Sequence, residues 1–95
     1  MCGITGFFNL DKSTPELSIL REMGDVIAHR GPDHDGYYTN DEGIGFCHRR
    51  LSIIDLSENG NQPMSSINQD IWLVFNGEIY NYKELREDLI LKGYK

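Results

Sequence analysis

Residues 71–75 read Ile-Trp-Leu-Val-Phe, five apolar side chains in a row, and run directly into Asn76-Gly77. A run this short does not make a helix core, and it lacks the alternation of a half-exposed strand. It predicts a strand buried on both faces. A strand of that kind needs a sheet around it and a layer on each side.

The rest of the chain supplies candidates for those partners. Ile4 to Phe8 reads as a strand that begins almost at the first residue. Gly36–Thr39 and Ile44–His48 read as two more, joined by the turn-rich Asn40-Asp41-Glu42-Gly43. Leu51 to Leu56 is a further short extended stretch, and residues 57–63 form a loop. Ser13-Thr14-Pro15-Glu16 opens a first helix, either as a Ser13/Glu16 capping box or with Thr14 and Pro15 as N-cap and first position. Its apolar positions are Leu17, Leu20, Met23 and Ile27, and Gly31-Pro32 is expected to end it through a left-handed cap. A second helix spans Tyr82 to Lys92, capped by Asn81 with Glu84 three residues on, and stops at Gly93. Strands and helices mixed in this way, with antiparallel hairpins, indicate an α+β architecture.

Length and charge narrow the function. Ninety-five residues make one small domain, and the net charge of −6 opposes binding to a phosphate backbone. The single basic cluster, His48-Arg49-Arg50, is three residues long, so nucleic acid is not an expected partner. No stretch approaches the roughly 20 apolar residues that span a bilayer, and the start resembles no signal peptide. Two cysteines give no disulfide framework, and the expected location is the cytoplasm. The chain stops at Leu91-Lys92-Gly93-Tyr94-Lys95, right after a helical pattern, and reads as a cut.

Three places carry chemistry. Cys2 becomes the N-terminal residue if Met1 is removed. Its α-amine, with an ordinary pKa of about 7.7–8.0, could then take the proton from its own thiol. Without such processing Cys2 is a small apolar residue before a strand. Arg50 lies between apolar stretches, and a guanidinium fork holds a carboxylate in two parallel hydrogen bonds. Arg49 is adjacent, and on a strand only one of the two faces a pocket. Asn76-Gly77 has two local readings: a type I′ hairpin turn, or an amide and a glycine N–H converging on one developing charge. Cys2, His29, His34, Cys47 and His48 show no metal-ligand spacing, and Cys47-His48 on a strand would point to opposite faces, so no metal is expected. Gly3-Ile4-Thr5-Gly6 lacks the Lys-Ser/Thr of a phosphate loop.

Five motifs in order carry a resemblance. Met1-Cys2-Gly3-Ile4-Thr5-Gly6, Arg30-Gly31-Pro32-Asp33, Arg50-Leu51-Ser52-Ile53-Ile54-Asp55, Gln62-Pro63-Met64 and Asn76-Gly77-Glu78-Ile79-Tyr80-Asn81 together resemble the N-terminal glutaminase (class II glutamine amidotransferase) domain of the asparagine synthetase B family. The resemblance implies an N-terminal-nucleophile hydrolase fold, an αββα sandwich of antiparallel sheets, of which residues 1–95 would be the first portion. It implies L-glutamine as substrate, Cys2 as nucleophile, and Asn76 with Gly77 as oxyanion hole. Arg50, the backbone around Leu51 and Ile53, and Glu78 would hold the substrate. Arg30 to Asp33 would be structural or gating.

The ammonia released would pass to a C-terminal synthetase domain of the same chain, which uses ATP and Mg²⁺ and aminates an acceptor such as aspartate. That domain is absent from these residues, and so is a family aspartate that helps bind the substrate amine. The 95 residues alone are therefore expected to be inactive and, with open strand edges, to associate with copies of themselves. The rival reading is a non-catalytic glutamine-binding or regulatory module of the same fold.

Overall fold

The computed structural model describes residues 2–52 and 58–94. Its centre is a three-stranded antiparallel sheet of β1 (Gly3–Phe8), β2 (His34–Thr39) and β3 (Ile44–Arg50), in the order β1-β3-β2. β3 is central because its neighbours reach it from both sides: Gly3 pairs with Arg49, Thr5 and Tyr37 both with Cys47, and Ile4 and Gly36 both with His48. The β2–β3 hairpin follows from its loop chemistry. Gly43 takes φ of +94°, and the Asn40 side-chain oxygen accepts from the N–H groups of Glu42 and Ile44 at 2.9 and 3.1 Å.

Alternation along the strands separates two faces. Thr5, Cys47, Tyr37 and Arg49 share one, and the helix α1 (Leu17–Val26) packs there. Leu20 is fully buried, as its periodicity implies, and Gly24 lies so close to the sheet that a Cβ on it would come 2.8 Å from the Cys47 sulfur. Burial raises the Cys47 thiol above its ordinary range. Tyr37 is pushed up to about 12, by burial and by its 2.8 Å hydrogen bond to Asp35. Ile4, His48, Arg50, His34, Gly36 and Tyr38 share the other face. It is partly covered by the segment from Gly60 to Asn76, through Gly60 on Arg50, Gln62 on Gly36 and Trp72 on Tyr38; this segment holds a two-stranded sheet of β4 (Met64–Ser65) and β5 (Trp72–Leu73). Trp72 stacks on Tyr38 at 4.5 Å, and Tyr38 on Phe46 at 5.0 Å.

Several local expectations give way to longer-range partners. The capping box does not form, because Ser13 is already bound to Asp11 through both its N–H (3.0 Å) and its hydroxyl (2.7 Å). α1 starts after Glu16, without a side-chain cap. It also ends earlier than the sequence suggests, at Val26, and a 3₁₀ turn (Ala28–Arg30) follows. Gly31 has a negative φ (−149°) rather than a left-handed one; there a Cβ would run into the Arg49 backbone. The run 71–75 forms only the two strand residues of β5, with Ile71 66% exposed and Leu73 and Phe75 also exposed. Burial on both faces therefore fails among the described residues: β5 pairs with β4 alone, and nothing covers the second side.

The second helix, α2 (Tyr82–Leu91), lacks the Asn81 side-chain cap but ends as expected. Gly93 takes φ of +92°, its N–H bonds Ile90, and the Tyr94 N–H bonds Leu89, a Schellman closure. Every residue of α2 is exposed, including an apolar stripe of Leu85, Leu89 and Ile90. Of the extended stretch expected at 51–56, residues 53–56 lie outside the described residues; Leu51 and Ser52 are irregular.

Candidate active site

Cys2 immediately precedes β1, and continuing the β1–β3 register sets it across from Arg50. The end of β3 therefore brings the two ends of the motif set together. The Cys2 sulfur lies against the Leu51 backbone: the Leu51 N–H donates to it at 3.4 Å, and the thiol reaches the Leu51 carbonyl at 3.7 Å. A backbone N–H aimed at sulfur complements negative charge developing there.

The Cys2 carbonyl is held from two sides. Asn76 Nδ2 donates to it at 3.0 Å across 74 residues of chain, and Arg30 Nε donates at 3.3 Å. Asn76-Gly77 is not a hairpin turn, since no strand follows it; the chain stays irregular until α2. A carboxamide nitrogen carries two hydrogens. One of them is on the Cys2 carbonyl. The Phe75 N–H, one residue earlier, donates to the Gln62 side chain at 2.6 Å and ties this segment to the loop.

Arg50 and Arg49 separate as strand alternation requires. Arg50 is 6% exposed and on the Cys2 face, donates from Nη1 to Asn61 Oδ1 at 2.7 Å, and lies close against Gly60, where a Cβ would meet its guanidinium. Arg49 turns to the helix-bearing face, bonding the Gly31 carbonyl at 3.1 Å and pairing with Asp35 at 3.7 Å. The Asp35 carboxyl is held below its usual range, chiefly by the Tyr37 hydroxyl and further by Arg49. The structure thus brings Cys2, Leu51 and Asn76 into contact and places Arg50 on the same face. Glu78 is exposed just beyond Gly77 and makes no hydrogen bond or ion pair among the described residues. Ile53 lies outside them.

Sequence reasoning did not foresee the part played by Arg30, whose reach to Cys2 is visible only once α1 has folded back on the sheet. Asp33, in the same motif, accepts from the Ser52 N–H at 2.7 Å and so braces the end of β3. It also missed His48. Cys47 and His48 do face opposite ways, but His48 is 1% exposed on the Cys2 face. Burial holds its imidazole below the ordinary range; the Phe75 backbone opposes this, and His34 and Arg50 add to it. Among the described residues no three His, Cys, Asp or Glu side chains cluster as metal ligands would.

The family comparison matches residues 1–95 to the glutamine amidotransferase domain. Among similar proteins, glutamine-hydrolysing asparagine synthetase 1 of Bacillus subtilis (strain 168) is 53% identical over 97 residues, covering 99% of this chain and 15% of that protein. Glutamine-hydrolysing asparagine synthetase B of Escherichia coli (strain K12) is 39% identical, covering 93% of the chain and 16% of that protein. Amidase chry2 of Gibberella zeae is also 39% identical, over 94% of the chain and 15% of its own length. The chain thus spans about 15% of the length of these relatives.

Proposed function

Because this chain belongs to the glutamine amidotransferase domain family, we propose that it hydrolyses L-glutamine to glutamate and ammonia, with Cys2 as nucleophile. The observation that carries the proposal is the 3.0 Å bond from the Asn76 amide to the Cys2 carbonyl, which joins the first and last motifs at one residue, Cys2. With Met1 removed, the Cys2 α-amine accepts the proton of its own thiol. The sulfur attacks the side-chain carbonyl carbon of glutamine. The oxyanion that forms accepts from the second N–H of Asn76 and from the Gly77 N–H. The amine returns its proton to the departing nitrogen, which leaves as ammonia, and a γ-glutamyl thioester remains. Water, deprotonated by the same amine, then attacks the thioester and releases glutamate and the thiol.

Arg50 is already buried on the Cys2 face, and its guanidinium fork suits a bidentate clamp on the substrate α-carboxylate. The Leu51 and Ile53 backbone and the Glu78 carboxylate would take the remaining polar groups. The fold proposed is the N-terminal-nucleophile sandwich, with the three-stranded sheet as part of one of its two sheets. The whole protein would deliver the ammonia to an ATP- and Mg²⁺-dependent amide synthesis, with aspartate as acceptor. The residues here do not fit a nucleotide: Gly3-Ile4-Thr5-Gly6 lies within β1 rather than in a phosphate-binding loop. That step would therefore fall to the rest of the protein.

The test is Cys2→Ala in the whole protein, after N-terminal sequencing has shown that Cys2 is the first residue of the unaltered form. Glutamine-dependent glutamate release should vanish while ammonia-dependent synthesis persists. Comparable use of glutamine by the alanine variant would end this reading.

A further inference from the structure

His48 occupies the centre of the sheet on the face that carries Cys2, and neither of its ring nitrogens has a hydrogen-bond partner among the described residues. His34, one diagonal step away on β2, leaves its Nδ1 unpartnered in the same way. The titratable and charged groups turned toward His48 are His34 from β2 and Arg50 from its own strand, and the overlying segment contributes the Phe75 backbone. Its neighbour on β1, Ile4, adds nothing polar. The segment that carries Phe75 lies over this part of the sheet: Gln62, whose side chain accepts from the Phe75 N–H, presses its own backbone carbonyl against Gly36, the β2 partner of His48. A neutral imidazole offers one donor and one acceptor. Burying both unmatched costs more than an aliphatic side chain would in the same space. Stability alone therefore gives no account of a histidine here, and an orphaned pair of buried nitrogens calls for another role.

We propose that His48 is a positioning residue for glutamine hydrolysis: when substrate is bound, its ring N–H closes on the Phe75 carbonyl and fixes the peptide that leads into Asn76 and Gly77. The carbonyl of Phe75 and the N–H of Asn76 lie in one rigid plane, so holding the first orients the residue that follows. The other end of Phe75 is already anchored, its N–H on Gln62 at 2.6 Å. His48 would complete the clamp from beneath. The inference rests on Asn76 and Gly77 being the oxyanion donors.

The test uses the whole protein and glutamine. His48→Leu should lower kcat about ten- to a hundredfold, the usual consequence of a misplaced catalytic group, with KM within about twofold. His48→Gln, which keeps a neutral N–H donor, should recover most of the loss. Combined with Asn76→Ala, His48→Leu should cost less than the product of the two single effects, because both act on one donor. An unchanged kcat, or strictly multiplicative effects, would overturn the proposal. If His48→Leu does not fold, NMR of the Cys2→Ala protein decides: adding glutamine should slow exchange of the His48 ring N–H, and an unaltered ring signal with glutamine bound refutes the clamp. Failure of the wider reading would look different, as glutamine turnover by the Cys2→Ala protein itself.

Discussion

Asn76→Ala separates a structural role of the amide from a catalytic one. Among the described residues Asn76 makes a single side-chain bond, 3.0 Å to the Cys2 carbonyl, from an exposed position. A neutral, exposed hydrogen bond contributes at most about 1 kcal/mol to stability. Arg30 also donates to the same oxygen, at 3.3 Å, so Cys2 is not released. Thermal unfolding should therefore move little. Loss of one preorganised oxyanion donor instead costs about 3–4 kcal/mol of transition-state stabilisation, or 10²–10³ in kcat. The two estimates differ enough for one experiment to choose between them. Glutamate release by the purified whole protein, measured across glutamine concentrations beside a melting curve, gives both numbers. KM should hold, because the donor serves charge that develops only in the transition state. A loss confined to KM would place Asn76 in ground-state binding. An unchanged kcat, or a stability loss as large as the rate loss, would refute the oxyanion assignment.

Arg50→Lys should raise KM for glutamine about tenfold or more, in line with ~1.5–3 kcal/mol for a charge-assisted hydrogen bond, while Arg49→Lys leaves KM alone; equal effects from the two would undo the choice between them. Gly60→Ala should raise KM in the same direction, because its Cβ would displace the Arg50 guanidinium; an unaltered KM with an intact fold would mean the close packing of Arg50 on Gly60 is incidental. Gly24→Val drives a side chain into the Cys47 sulfur and the Tyr37 hydroxyl, so chemical denaturation should register a loss of about 1–3 kcal/mol. His48 is depressed in the folded state relative to its ordinary 6.5, so the unfolded chain binds more protons in acid and stability should decline as pH falls below that value. Tyr37 is raised from 10 to about 12, so stability should also decline as pH rises from 10 toward 12; melting temperatures recorded across pH test both limbs, and a flat profile would contradict the burial of these rings.

What the amino-acid order determined by itself is what neighbours in sequence decide. Asn40 to Gly43 closes a hairpin because one side-chain amide and one left-handed glycine suffice for it. Gly93 ends α2 for the same kind of reason, and Leu20 is buried because helical spacing selects one face. The motif set pointed to the family without reference to any contact. Tertiary structure decided the rest, since those outcomes depend on partners far along the chain. Ser13 lost its capping role to Asp11, and Gly31 proved to be a close approach to the Arg49 backbone. Of the two local readings of Asn76-Gly77, the hairpin turn did not form; the Asn76 amide instead met a carbonyl 74 residues away. Strand alternation allowed either Arg49 or Arg50 to face the site; the packing of α1 against one face of β3 assigned Arg49 to that side and left Arg50 with Cys2. The five apolar residues at 71–75 kept their strand tendency but not their burial, because burial belongs to whatever lies across from a side chain. Local propensity acts through a few bonds; which residues meet is settled by the shape that closes around them.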